Sequence, residues 1–160
     1  MPKPVVSSVK TREAQMEFKD CIQFANEHRI CHLATTESDQ PRVRVINMWF
    51  ANDDGFTFCG LAPKNLWKQI KANPKVEICF FNNAPALKDV KALRVTGKAE
   101  FVEDRDLKVR LLNERPFYRN FGTGAPDDPT YPVVRVAHGE AWFWTMECAL
   151  REAEAERIRF

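Results

Sequence analysis

Arg42 and Arg44 are separated by one residue in a β-favouring run, so on a strand their guanidinium groups project from the same face. Lys64 opens a short helical stretch, where unpaired main-chain amides and the positive end of the helix dipole favour an anion. Three cations beside a helix start suit one phosphate group, which a guanidinium grips through two parallel hydrogen bonds. The same residues also read as solvated charges on an ordinary strand and helix, and spacing does not separate the two. Gly60, with Ala62 and Pro63 behind it, gives either a small-residue path for close approach of a ligand or a plain turn. Among Trp49, Trp67, Trp142 and Trp144, Trp49 stands just past Arg44 and is best placed to wall a ligand; packing in a core or interface is the alternative for all four.

Other chemistries find less support. His28, His32 and His138 form no ligand-spaced cluster, and there is no CxxC, so no zinc site is expected. Cys31 and His32 are neighbours in a strand-like run and point to opposite faces, which argues against a thiol–imidazole pair. His138, before Gly139, is a lone histidine that reads as structural. No Ser/His/Asp or paired-carboxylate arrangement is present. Cys21, Cys31, Cys59, Cys79 and Cys148 are odd in number and irregularly spaced, as expected of reduced residues in a reducing compartment.

These residues need a framework. Ala14, Phe18, Cys21, Ile22 and Ala25 recur at helical spacing and predict an amphipathic helix. A strand over 30–36 closes in the turn 37–40 before Pro41; a strand over 42–50 then pairs, through the turn 52–55, with a strand over 55–59 as a hairpin. Leu66, Trp67 and Ile70 mark a short helix ending near Asn73-Pro74, and a strand over 76–81 follows. In the strand over 92–102, Leu93, Val95, Gly97, Ala99 and Phe101 alternate with polar residues. Asp104 caps a helix over 105–115, residues 121–129 are loop, and a long strand runs over 133–145. The tail over 149–160 is compatible with helix or strand. Hairpin-like connections without βαβ alternation predict a mainly β fold, an antiparallel barrel with peripheral helices.

With 160 residues, 44% of them hydrophobic, twelve Phe and four Trp, the chain carries enough apolar surface for one core, so a single domain over 1–160 is expected. A net charge of +2 lacks the electrostatic footprint of a nucleic-acid or polybasic membrane binder. No apolar run is long enough to span a bilayer, and 1–15 lacks the apolar segment of a secretory signal; a cytoplasmic protein is the expectation.

Five stretches, in order, carry a resemblance: Leu33-Ala34-Thr35-Thr36; Gln40-Pro41-Arg42-Val43-Arg44-Val45; Asp54-Gly55-Phe56-Thr57-Phe58-Cys59; Pro63-Lys64 with Gln69-Ile70-Lys71-Ala72-Asn73-Pro74-Lys75-Val76; and Val95-Thr96-Gly97-Lys98-Ala99-Glu100. Together they resemble the pyridoxamine 5′-phosphate oxidase-like family of FMN-binding split β-barrels, over about residues 18–145. The resemblance implies a homodimeric flavin-dependent oxidoreductase acting on a small molecule, with FMN at the subunit interface. It puts Arg44 on the FMN phosphate with Arg42 as auxiliary, Val45, Ile46 and Asn47 along the isoalloxazine and ribityl groups, Cys59, Gly60 and Leu61 along the flavin, and Lys64 on the phosphate. Trp49 would shape the open face, and Trp142 would reach the partner's flavin. Trp49 occupies the place of the family's substrate-binding lysine, and the C-terminal Arg-x-His motif is missing, so pyridoxamine phosphate itself is not the expected substrate. Two other readings stay open: a flavin- or haem-binding protein without turnover, and a deazaflavin-dependent reductase.

Overall fold

The computed structural model describes residues 16–160. Helix α1, Phe18–Glu27, buries Cys21, Phe24 and Ala25 on one face, and Asp20 accepts the Glu17 main-chain N–H at 2.7 Å, satisfying one donor at the helix start. Phe18 and Ile22 pack on the same core, whereas Ala14, the first residue of the expected stripe, lies outside the described residues.

Strands β1 (Ile30–Glu37) and β2 (Gln40–Asn47) form a hairpin in which Glu37 faces Gln40 across a turn with Ser38 in the left-handed region. The expected single strand over 42–50 is in fact divided. β2 pairs with β1, whereas β3 (Phe50–Asn52) pairs with β4 (Gly55–Cys59), so the hairpin at the 52–55 turn involves β3 alone. Met48 and Trp49 explain the break. Both are buried, but Met48 enters one apolar cluster and Trp49 another. Their amides bond in different directions, Met48 N–H to Arg29 C=O and Trp49 N–H to Thr57 C=O, each at 2.9 Å. The chain therefore changes ladders here with both of these amides paired.

Helix α2 (Asn65–Ala72) leads to β5 (Lys75–Phe81), and β6 (Lys91–Phe101) returns antiparallel to it. Asp104 caps α3 (Arg105–Glu114), accepting from the amides of Asp106 and Leu107 as its sequence position predicts. β7 (Val133–Thr145) follows, and the tail resolves into a short 3₁₀ turn at Glu152–Glu154 and strand β8 (Ile158–Arg159). The sheet order is β2-β1-β5-β6-β7-β4-β3, antiparallel throughout, with β8 also beside β7. β7 can hold three neighbours because β4 takes Val133 to Val136 on one edge and β8 takes Glu140 and Ala141. Where β6 and β7 come closest, Gly97 faces Gly139, and a Cβ on Gly139 would lie 1.9 Å from the Thr96 carbonyl oxygen.

The mainly antiparallel, split-barrel architecture expected from the sequence is thus observed. Two apolar clusters fill it. The larger lies between the sheet and the first two helices, and the smaller joins Trp49 and Cys59 to Leu111, Leu112, Tyr118 and Tyr131. Phe160 packs against the larger one: its ring stacks on Phe18 at 4.6 Å, and its main chain exchanges two hydrogen bonds with Gly139. Phe101, expected on the buried face of β6, is left exposed at the end of the strand. Among the described residues, no helix is long and apolar enough to cross a membrane, and all five cysteines are free thiols.

Candidate functional site

Alternation on β1 buries Cys31, Leu33 and Thr35, and the β1–β2 register puts Arg44 opposite Leu33. From that position the Arg44 guanidinium reaches in to Thr35 Oγ1 at 2.7 Å, to the Leu33 carbonyl at 3.3 Å and to Gln69 Oε1 on α2 at 2.6 Å. Three of its five N–H donors are thereby engaged and the group is fixed between sheet and helix, with two donors remaining. Thr35 and Gln69 are both buried and hydrogen-bonded to each other at 2.7 Å. Sequence reasoning missed this pair, because a threonine on a strand and a glutamine on a helix carry no signal until packing joins them.

Arg42 behaves differently. It makes an exposed two-nitrogen contact with Glu37 Oε2, at 2.9 and 2.7 Å. These bonds and one from Gln69 hold the Glu37 carboxyl below its usual range, whereas burial and then the Arg42 charge press Arg44 downward. Arg44 remains a cation, since a guanidinium is not deprotonated in proteins. Lys64 is exposed at the N-cap position of α2 and makes no ion pair among the described residues. The structure therefore joins Arg44 to α2 and gives Arg42 to Glu37, with a positive excess across Arg42, Arg44, Lys64 and Glu37.

Gly60 has a packing reason of its own. A Cβ there would lie 2.5 Å from Cζ2 of the Trp67 indole. Much of the neighbouring backbone is also engaged: Gly60 N–H bonds Pro132 C=O, Ala62 N–H bonds Thr130 C=O, and the Trp67 indole N–H bonds Leu61 C=O. Cys59 is buried, with its thiol 3.3 Å from an Arg115 nitrogen and 3.7 Å from the Tyr118 hydroxyl, and burial pushes its pKa up. Trp49, expected on an open face, is only 2% exposed and donates its indole N–H to Glu114 at 2.8 Å. That corrects its role as a ligand wall, since its neighbours are core residues. Trp142 is covered by the tail, with Arg157 over its ring at 3.6 Å and its N–H 3.4 Å from Glu152. Ile46 packs against the larger cluster, while Val45 and Asn47 are exposed.

The sheet face turned away from the helices carries features absent from the sequence reading. Its register lines up Val45, His32, Cys79, Arg94 and Trp142 across five strands, with Val43, Ala34, Glu77, Thr96 and Glu140 in the next row. A cavity of about 520 Å³ opens there against the tail, and a second of about 400 Å³ adjoins it through Ala34 and Glu77 and extends to Thr35, the partner of Arg44. Cys31 and His32 do point to opposite faces. The register instead sets His32 opposite Cys79, an arrangement that only strand pairing could reveal. His138 is exposed. Among the described residues, no group of three or more His, Cys, Asp or Glu is arranged to hold a metal ion.

The profile described as pyridoxamine 5′-phosphate oxidase matches residues 17–145. The chain belongs to that family. Solved structures agree in fold. A NimC/NimA family protein from Clostridium acetobutylicum superposes with a TM-score of 0.69 at 27% identity, covering 89% of this chain and 92% of the other. A FAD-binding protein from Mesorhizobium loti gives 0.60 at 16% identity, covering 80% and 94%. HutZ, a haem storage protein from Vibrio cholerae, gives 0.60 at 17%, covering 81% and 95%. Among curated proteins, no sequence matches the chain.

Proposed function

We propose that this member of the family is an FMN-dependent oxidoreductase that works as a cytoplasmic homodimer on a small molecule other than pyridoxamine phosphate. The observation that carries the reading is the family membership over residues 17–145. The donor set fits a phosphate: Arg44 is positioned by Thr35 and Gln69 with two N–H donors remaining, and Lys64 stands at the exposed start of α2. Arg44 and Lys64 hold the phosphate, with Arg42 adding charge. Val45, Ile46 and Asn47, with the 59–61 stretch, supply the contacts along the rest of the cofactor. Bound flavin supplies the redox chemistry; the chain binds it, orients it and shields it from water. Five free thiols favour a reducing compartment.

Purified protein supplied with excess FMN is expected to retain the visible flavin bands after desalting, and a colourless protein overturns the reading. Arg44→Ala is expected to weaken FMN binding by about 1.5 to 3 kcal/mol, the range for a hydrogen bond to a charged group. Unchanged affinity by fluorescence titration removes Arg44 from the phosphate. The FAD-binding and haem-storage proteins with this fold keep a second reading in view, a carrier without turnover. Consumption of a reduced nicotinamide above the rate of free FMN separates enzyme from carrier, and a parallel titration with a deazaflavin decides which flavin is held.

A further inference from the structure

We propose that the cavity between β1, β5, β6 and the C-terminal tail binds a planar ring bearing a cationic nitrogen group, an amidinium or protonated amine, and rejects anionic ligands. Its volume of about 520 Å³ lies within the range of small-molecule sites. Ala34, Val43, Ala92 and Trp144 supply the apolar surface that a ring requires, and Cys79 lies among them.

Charge selects the rest. Glu77 takes two nitrogens of Arg94, and Glu152 takes the third at 2.5 Å. Two carboxylates thus bracket one guanidinium, and the charged lining carries one negative charge in excess. An entering phosphate or carboxylate would have to displace a glutamate from Arg94 while facing both. A cationic nitrogen meets two partly exposed carboxylates that each use Oε1 toward Arg94. The tail completes the site. Glu152 is the one lining residue beyond β7, and the tail is held by β8 pairing and by Phe160 against Phe18. That such a molecule is the substrate rests on the flavin reading; that it binds here does not.

Benzamidine and benzoate, equal in ring and opposite in charge, provide the test when titrated into flavin-free protein by calorimetry. Alkylation of Cys79, followed by peptide mapping, reports occupancy independently. Benzamidine is expected to bind at least about tenfold more tightly than benzoate and to slow Cys79 alkylation. Glu152→Gln and Glu77→Gln, each checked for native circular dichroism, are expected to weaken benzamidine about fivefold, the upper range for partly exposed charge pairs. Equal or tighter benzoate binding, absence of benzamidine binding at millimolar concentration, or indifference to both substitutions overturns the proposal. FMN-loaded protein should bind benzamidine as well as the flavin-free form; strict competition by FMN would assign the cavity to the flavin. Failure to take up FMN leaves the benzamidine result standing and counts only against the flavin reading.

Discussion

Trp49 donates its indole N–H to Glu114 from within the smaller apolar cluster, and that bond distinguishes a packing role from a ligand wall. Trp49→Phe keeps most of the ring volume and removes the bond. It is expected to lower stability by about 1 to 2 kcal/mol while leaving FMN affinity unchanged, as urea unfolding and flavin titration would show. Gly60 makes a parallel case. Gly60→Ala puts a methyl group into the Trp67 indole and should cost about 1 to 3 kcal/mol, the range for overpacking. A stability loss without matching loss of flavin affinity would place this glycine in the packing of α2. Arg44 shows the converse. Its type and strand position were legible in the sequence, but Thr35 and Gln69, which aim it, lie 9 and 25 residues away and were not.

At the scale of elements, the break at Met48–Trp49 is informative because local propensity runs straight through it. A β-favouring run read alone gives one strand; two apolar clusters on opposite sides of the chain give two. The loop between α3 and β7 is governed by Asp128, which accepts from Thr123 N–H and Oγ1 and from Thr130 N–H. Hydrogen bonds from Thr130 and Thr123 hold this carboxyl well below the usual carboxylate range. A depressed folded pKa gives stability that is complete above the unfolded value, about 3.9, and is lost as the pH falls toward the folded one. Acidification from pH 7 to about 3 should therefore destabilise the wild type more than Asp128→Asn. Urea midpoints of both proteins at the two pH values measure the difference, and equal acid sensitivity would remove Asp128 as a contributor.

For the whole molecule, the sheet face turned away from the helices poses the main question. Ile30 on β1 and Val45 on β2 are 64% and 63% exposed toward one end of the β1–β2 ladder, apolar side chains outside the cavity that a second copy would cover. Under the homodimer reading, Ile30→Asp with Val45→Asp should yield a monomer with weakened FMN binding, while the double variant keeps its β circular-dichroism signal. Sedimentation velocity reads the outcome, and an unchanged dimer would move the interface elsewhere.

Most strand and helix identities up to β7, the α3 cap at Asp104 and the candidate cations followed from the sequence because each rests on local chemistry: side-chain alternation, helical spacing, a capping carboxylate, a charge. The tertiary structure decided the division of the expected strand at Met48–Trp49, the burial of Trp49, the packing reason for Gly60, and the alignment of His32, Cys79 and Arg94 across one face. These depend on contacts between residues distant in the chain, whose register is set by how whole strands pair. A single sequence states which side chains are available and how they alternate, but the partner that each meets is selected only when the strands pair around the two cores.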